Sequence, residues 1–193
     1  MAGVIHVGAW TGQEYVGAGR RLLLFEPQAR PFTELMANLR DQPGVTLVNA
    51  AAGADRGHAT MYRVAPDHSS SLLQPRTLLH GFSFDGEEDV KVTTVDDEVA
   101  HLQLEGAFDE LRVDTQGYEL EVLKGARRTL RDLRRVECEI HNPDTYPGAA
   151  TLEQLDAFLA ADGFERVGVT DRPGDDPAAC YERRTGAADQ PDP

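Results

Sequence analysis

Three titratable side chains stand at the ends of two apolar, strand-like segments. Asp114 ends the segment ELRVD, and Glu139 and His141 end the segment RVECEIH. Glu139 and His141 alternate with Ile140, so on a strand they share one face. Histidine titrates near neutral pH, so His141 could accept a proton from a substrate hydroxyl, with Asp114 and Glu139 beside it. Two alternatives remain: a purely structural histidine, and a divalent-metal cluster for which the spacing specifies no ion.

A second set of residues could bind a nucleotide-like cofactor. The turn GAWTG follows the segment VIHV. Gly8 and Gly12 would let the backbone approach a ligand, and the helix that follows would offer free amides. Glu26 ends the segment RLLLFE, where it could accept hydrogen bonds from two ribose hydroxyls. These features suit S-adenosylmethionine and NAD equally.

The segment VNAAAG could border an adenine ring. Ala50 and Ala51 are small enough to leave room for a flat ring, and the Asn49 amide could contact its edge. A tight turn packed by alanines accounts for the same residues equally well.

The elements that would position these residues alternate between strand and helix. Strands are predicted at 4–9, 21–27, 45–53, 110–117 and 135–141, and helices at 30–40, 118–133 and 151–163. Thr151 and Gln154 form a capping box for the last helix. FERVGVT and AACYERR flank a turn-forming segment and predict an antiparallel hairpin. The pattern predicts an α/β fold, a mostly parallel sheet with helices on both faces and an antiparallel C-terminal strand.

Residues 1–184 are predicted to form a single domain. Residues 65–89 interrupt its regularity, since their hydrophobic residues follow neither a helical nor a strand period. The segment is also too long for a simple connection between two elements. We expect them to be a loop or lid over the cleft, carried by a strand pair. Residues 185–193 are polar and contain prolines, which predicts a disordered tail.

Charge and hydropathy exclude some partners. The net charge of −14 and pI of about 4.7 disfavour a nucleic-acid substrate, because such a field repels phosphates. We expect no membrane association, since no stretch approaches the roughly 20 apolar residues that cross a bilayer. Met1 leads almost directly into VIHVG without the pattern of a secretory signal, which predicts a cytoplasmic protein.

The order of these motifs resembles the FkbM family of S-adenosylmethionine-dependent methyltransferases. The matching segments are VIHVGAWTGQE, LLFEPQ, VNAAAG, SSSLL, VTTVDDEV, RVDTQGYELEVLKGA and the ECEIH strand. They extend across roughly residues 4–165, and RVDTQGYELEVLKGA is the most specific of them.

The resemblance implies a class I, Rossmann-like methyltransferase fold with a seven-stranded sheet. It also implies methyl transfer to a hydroxyl on a small molecule, sugar or natural product. The positions that it assigns to the cofactor are Gly8, Ala9 and Gly12 at the methionine end, Glu26 and Pro27 at the ribose, Asn49, Ala50 and Ala51 at the adenine, and Asp114 near the methyl group. Ser69, Ser70 and Ser71 would lie in the loop over the cleft.

The sequence departs from the family pattern in two ways. His6 stands where the first motif usually has an aspartate, which puts the contact with the cofactor's amino group in question, although a neutral His6 could still accept a hydrogen bond. Related enzymes also have helices before the first strand, and this sequence has almost none. We therefore expect the cleft to be more open, or to be covered by another subunit, as in a homo-oligomer, or by residues 65–89.

The resulting hypothesis is in-line methyl transfer with His141 as the general base and Asp114 orienting the substrate or the ammonium group. No resident metal is predicted, although a divalent ion is not excluded. One alternative is an NAD-dependent oxidoreductase, which would need a tighter glycine pattern than GAWTG. The other is a non-catalytic, cofactor-binding partner subunit. This alternative is compatible with His6 in place of the aspartate and with the near absence of helices before the first strand.

Overall fold

The computed structural model describes residues 3–76, 82–170 and 176–184. The strands in these ranges are β1 (Gly3–Val7), β2 (Leu22–Phe25), β3 (Val45–Val48), β4 (Ala51–Ala52), β5 (Gly57–Ala65), β6 (Ser83–Thr93), β7 (Phe108–Val113), β8 (Arg135–Glu139), β9 (Phe164–Thr170) and β10 (Ala178–Arg183). The α-helices are α1 (Ala29–Leu39), α2 (Val95–His101), α3 (Glu119–Lys124) and α4 (Leu152–Ala161). Short 3₁₀ helices occupy Gln13–Tyr15, Asp67–Ser69 and Thr129–Asp132.

The central sheet has seven strands in the order β3-β2-β1-β7-β8-β10-β9. Neighbouring strands are parallel except at β10, which runs antiparallel to both β8 and β9. The predicted α/β fold, with a mostly parallel sheet and an antiparallel C-terminal hairpin, is confirmed. The strand order changes direction between β1 and β7, and in such sheets a crevice opens there, outside the carboxyl ends of the strands.

Side-chain alternation along the central strands explains how both faces of the sheet are covered. On β1, Val4 packs in the same cluster as Leu35 and Leu39 of α1. Its neighbour Ile5 packs on the opposite face, in the cluster that contains Leu123 of α3. All five residues of β1 are buried, as expected for a parallel strand that has helices on both sides.

Two predicted elements are shorter than the sequence pattern indicates. The predicted helix at 118–133 is divided, since α3 ends at Lys124 and a 3₁₀ helix follows. Gly125 caps α3 where a Cβ atom would lie 2.0 Å from the carbonyl oxygen of Gly53. The predicted strand at 45–53 is also divided, because β4 joins β5 and β6 in a separate three-stranded sheet.

The segment predicted as a loop at 65–89 is shorter as well. β6 begins at Ser83 and pairs antiparallel with β5, so the predicted loop includes strand residues at its end, and residues 66–76 and 82 are the described part of the connection between the two strands. This hairpin carries its connecting segment beside the carboxyl edge of the central sheet, where Ser69 and Ser70 border the cleft described below. The predicted disordered tail at 185–193 lies outside the described residues.

Candidate active site

A cleft of about 810 Å³ opens at the carboxyl ends of β1, β2 and β7. Eleven of the sequence-predicted site residues line it: His6, Gly8, Ala9, Gly12, Glu26, Pro27, Ala51, Ser69, Ser70, Asp114 and Glu139. The predicted residues Asn49, Ala50, Ser71 and His141 do not line it. The structure thus brings the nucleotide-like set and the acid–base set together in one cleft.

The glycine-containing turn shapes the cleft rather than offering free amides to it. The N–H groups of Gly8 and Ala9 both donate to the carbonyl of Phe25, and that of Gly12 donates to the carbonyl of Ala9. The helix that follows is a three-residue 3₁₀ helix, Gln13–Tyr15. These three N–H groups belong to the turn and fix its conformation, whereas the free amides predicted at the start of the helix that follows stay a prediction.

Glu26 is a buried carboxylate at the end of β2, 3% exposed. Its Oε2 accepts a hydrogen bond from the Trp10 N–H at 3.1 Å, and its Oε1 accepts one from the Gln28 N–H at 2.8 Å. Burial raises the pKa of Glu26 to about 7, even though these two donors favour the charged form. Each oxygen keeps acceptor capacity for a ligand in the cleft.

Asn49 holds the backbone of the segment that carries Glu26. Its Nδ2 donates to the carbonyl oxygens of Glu26 and Pro27, at 2.9 and 3.2 Å. Asn49 does not line the cleft, and the predicted contact between its amide and an adenine edge stays a prediction. Ala51 lines the cleft as expected, together with Ala52, which the sequence analysis did not select.

His6 is uncharged at neutral pH. Burial, together with the Arg112 guanidinium, lowers the pKa of His6 to about 3. Its Nδ1 lies 3.0 Å from the Tyr15 hydroxyl and 3.6 Å from the Glu14 carboxylate. His6 therefore cannot supply the negative charge of the aspartate that the family pattern has at this position.

His141 lies behind the cleft among carboxylates from its own strand end and from two other segments. Its Nε2 is 3.4 Å from Glu119 and 3.7 Å from Glu139, and its Nδ1 is 3.4 Å from Asp176. Burial would lower the pKa of His141, but the Asp176 and Glu119 carboxylates outweigh it and raise the pKa to about 10. An imidazolium has no lone pair to accept a proton, so the geometry argues against His141 as the general base.

Of the three predicted acid–base residues, Asp114 and Glu139 line the cleft. Burial raises the pKa of both, and the negative charge of Asp114 adds to the shift at Glu139, to about 9. Gln116 Nε2 donates to Asp114 Oδ1 at 2.9 Å. The turn that holds Asp114 is itself fixed by Glu119, which accepts hydrogen bonds from the Thr115 N–H and hydroxyl and from the Gly117 N–H.

The predicted serine segment forms part of the cleft wall. The Ser70 hydroxyl accepts from the Val64 N–H at 3.1 Å, and the Ser71 hydroxyl donates to the Gln116 carbonyl at 2.8 Å. The Ser69 carbonyl accepts from the Tyr146 hydroxyl at 2.6 Å. These contacts tie the segment to β5, to the turn after β7 and to Tyr146, so the hydroxyls of Ser70 and Ser71 have structural roles.

Trp10 is a cleft residue that the sequence analysis passed over. It is 41% exposed, adopts a positive φ of 46°, and its Nε1 donates to Asp67 Oδ1 at 2.9 Å. Asp67 also pairs with Arg30, so Trp10 is connected to α1 and to the connection between β5 and β6. A large aromatic inside a glycine-containing turn is a sequence pattern that could have identified it.

Comparison with known proteins places this geometry among methyltransferases. The model of the methyltransferase FkbM domain matches residues 6–166. The curated 2-O-methyltransferase NoeI of Sinorhizobium fredii is 26% identical over 160 residues, which cover 76% of this chain and 65% of NoeI. The match therefore spans less than two thirds of the length of that relative.

Solved structures of low sequence identity share the fold. Aeropyrum pernix fibrillarin, solved with bound S-adenosyl-L-methionine, matches with a TM-score of 0.56 and 16% identity, covering 94% of this chain and 66% of fibrillarin. Magnesium protoporphyrin IX methyltransferase from Synechocystis matches with a TM-score of 0.52 and 10% identity, covering 95% and 70%. The architecture is the class I methyltransferase fold. Among the described residues, no helix has the length and apolar character to cross a membrane.

Proposed function

The chain belongs to the FkbM methyltransferase family, and we propose that it transfers a methyl group from S-adenosylmethionine to a hydroxyl group of a small molecule, sugar or natural product. One observation carries the proposal. A buried carboxylate suited to a ribose, Glu26, and two carboxyl groups suited to proton transfer, Asp114 and Glu139, line the same cleft.

The residues of the cleft fit S-adenosylmethionine. Its volume of about 810 Å³ lies within the roughly 300–1,000 Å³ typical of small-molecule sites. Glu26 is buried and has acceptor capacity left for ribose hydroxyls, while Ala51 and Met61 provide a small, apolar wall for adenine. The turn from Gly8 to Gly12 would hold the methionine end. Carboxylates there, rather than the neutral His6, would attract its ammonium group.

The chain's own part in the reaction is to orient the acceptor and to accept its proton. When bound, S-adenosylmethionine supplies an electrophilic methyl group on a sulfonium. Asp114 and Glu139 line the cleft, and His141 does not. Because the raised pKa of Glu139 keeps one proton on this pair of carboxyl groups, Asp114 is the carboxylate that would accept the hydroxyl proton, with Glu139 as its hydrogen-bonded partner. A positioned general base contributes typically about 10²–10⁴-fold to the rate. His141 becomes a positioning residue that holds the Glu139 carboxylate in place.

A hydroxyl acceptor is supported by the family relationship and by the chemistry of the cleft. NoeI, the relative found at 26% identity, is named a 2-O-methyltransferase. A hydroxyl must lose a proton as the new bond to carbon forms, and carboxylates beside the acceptor can take that proton. Both points favour O-methylation within the broader class of methyl transfer.

Cofactor binding tests the proposal and separates it from the alternatives. We expect isothermal titration calorimetry to detect S-adenosylhomocysteine binding and no NADH binding. Tight binding of NADH alone would favour an oxidoreductase and overturn the proposal. A panel of hydroxylated acceptors incubated with S-adenosylmethionine should then yield products heavier by one methylene in mass spectrometry. Cofactor binding without any methylated product across the panel would favour a non-catalytic partner subunit.

A further inference from the structure

A buried nitrogen of His141 lacks a hydrogen-bond partner. The side chain is 2% exposed, and its Nε2 has no partner within hydrogen-bonding geometry among the described residues. Glu119, the carboxylate at 3.4 Å, already accepts three hydrogen bonds from the turn after β7. A buried polar atom without a partner is costly in a native fold, so the position of Nε2 calls for an explanation.

The donor atoms of Asp114, Glu139 and His141 lie close together, and one pair has the separation of two ligands of one cation. One donor atom each from Asp114, Glu139 and His141 lies within 4.8 Å of the other two. Nε2 is 3.7 Å from Glu139 Oε2. Two ligands of one cation, each bound at about 2.1 Å, lie roughly 3.0 to 4.2 Å apart for bond angles between 90° and 180°. The observed separation falls inside that range without movement of the backbone.

The surroundings of the cluster also favour a cation. Glu119 and Glu139 both pair with His141, and no lysine or arginine of the described residues pairs with either. Buried carboxylates are usually paired or bound to a metal. On the other side of the ring, Asp176 lies 3.4 Å from Nδ1, where it holds the Nδ1 proton. A cation bound at Nε2 would take the place of the proton that this nitrogen carries in the imidazolium form.

We propose that Asp114, Glu139 and His141 bind one divalent cation, with Asp176 orienting His141 from behind. Two oxygens and one imidazole nitrogen suit Mn²⁺ or Zn²⁺ better than Mg²⁺ or Ca²⁺, which favour oxygen alone. Asp114 and Glu139 line the cleft. The open coordination positions therefore face the acceptor, and its hydroxyl oxygen is the class of ligand that would complete the site. That role in acceptor binding rests on the proposed function, whereas cation binding does not.

The experiment measures Mn²⁺ binding to the full-length protein without cofactor or acceptor. We expect electron paramagnetic resonance titration to show one bound Mn²⁺ per chain, displaced by Zn²⁺ and not by equal Ca²⁺. His141→Gln should weaken Mn²⁺ binding more than tenfold. Asp176→Asn should weaken it about 10- to 100-fold, because the charged carboxylate that orients the His141 ring through Nδ1 is lost. His58→Gln is the matched control, because His58 pairs with Asp89 on the exposed hairpin at 2.8 Å, and its loss should leave Mn²⁺ binding unchanged.

Two results would overturn the proposal. One is the absence of saturable Mn²⁺ binding to the wild-type protein at millimolar concentrations. The other is an unchanged affinity in Asp176→Asn, whose exposed position lets that variant decide the matter if His141→Gln does not fold. S-Adenosylhomocysteine titration of the same samples keeps the two proposals apart. Cofactor binding without Mn²⁺ binding rejects only the metal site, and the reverse rejects only the methyltransferase site.

Discussion

The carbonyl oxygen of Asp114 lies 1.7 Å from the point that a Cβ atom on Gly8 would occupy. The turns after β1 and β7 therefore touch through their backbones, and they carry the cofactor side and the acceptor side of the cleft. Gly8 also has a φ of 89°, a left-handed conformation that residues with a side chain adopt only with strain. The shape of the cleft depends on the absence of a side chain at position 8.

Gly8→Ala should therefore destabilise the fold and disrupt the cleft together. Strain and overpacking should lower the free energy of unfolding by about 2–4 kcal/mol, measured by urea denaturation. S-Adenosylhomocysteine affinity should fall at least tenfold in calorimetry. Gly57→Ala is the control, because its added Cβ meets no atom within 4 Å. Equal stability and affinity of the Gly8→Ala and wild-type proteins would refute this account of the turn.

Glu26→Gln should reduce S-adenosylhomocysteine affinity by about 10- to 100-fold, since hydrogen bonds to a charged group contribute about 1.5–3 kcal/mol. The substitution keeps the shape of the side chain and removes the negative charge. Glu34→Gln, on the exposed face of α1, should bind like the wild type. A Glu26→Gln protein with undiminished affinity would exclude Glu26 from ribose binding.

The affinity for S-adenosylhomocysteine should also depend on pH near neutrality. Burial raises the pKa of Glu26 to about 7 in the free protein. Ribose hydroxyls donate to the ionised form, so binding lowers this pKa. Affinity should then be constant above pH 7 and should fall as the pH drops below it, by up to about tenfold per pH unit. Calorimetry from pH 5.5 to 8.5 measures how the S-adenosylhomocysteine affinity changes with pH. Glu26→Gln should remove this pH dependence. A pH dependence that persists in the variant would assign the titration to another group.

Glu139→Gln should reduce turnover without reducing cofactor binding. Loss of the carboxyl group that shares a proton with Asp114 should lower kcat by about 10²–10⁴-fold, while the Kd for S-adenosylhomocysteine changes by less than about threefold. Glu121→Gln is the control, because Glu121 pairs with Lys124 on α3 outside the cleft. Equal kcat values for Glu139→Gln and the wild type would remove Glu139 from the reaction.

Thr151→Ala should lower the free energy of unfolding by about 1 kcal/mol, because it removes the N-cap of α4. The Thr151 hydroxyl accepts from the Gln154 N–H, and the Gln154 side chain accepts from the Thr151 N–H. A Tm lower by about 2–4 °C in calorimetry is the expected reading. Thr33→Ala, within the exposed part of α1, is the control and should change Tm by less than half as much. Equal Tm shifts in the two variants would show that the N-cap hydrogen bond of Thr151 does not stabilise α4.

Local sequence patterns predicted the elements that depend on near neighbours. The apolar runs of β1 and β2 and the helical spacing of α1 follow from burial on one or both faces, which the sequence displays directly. The capping box of α4 needs only residues three apart, and it forms as predicted. The predicted helix at 118–133 was too long because its interruption at Gly125 depends on Gly53, which is distant in sequence.

The sequence by itself determined the α/β fold, the family and the positions of Gly8, Glu26, Asp114 and Glu139 at strand ends, since these follow from periodicity and motif order. Only the tertiary structure decided what charge each group carries and which way it faces. His141 changed from a proposed base to a buried, positively charged residue because Glu119 and Asp176 approach it from other segments. The side chain of Asn49 donates to the backbone carbonyl of Glu26, a contact that depends on how β2 and β3 pair. Burial and the approach of distant charges set the charge of His141, and neither quantity exists until the chain is folded.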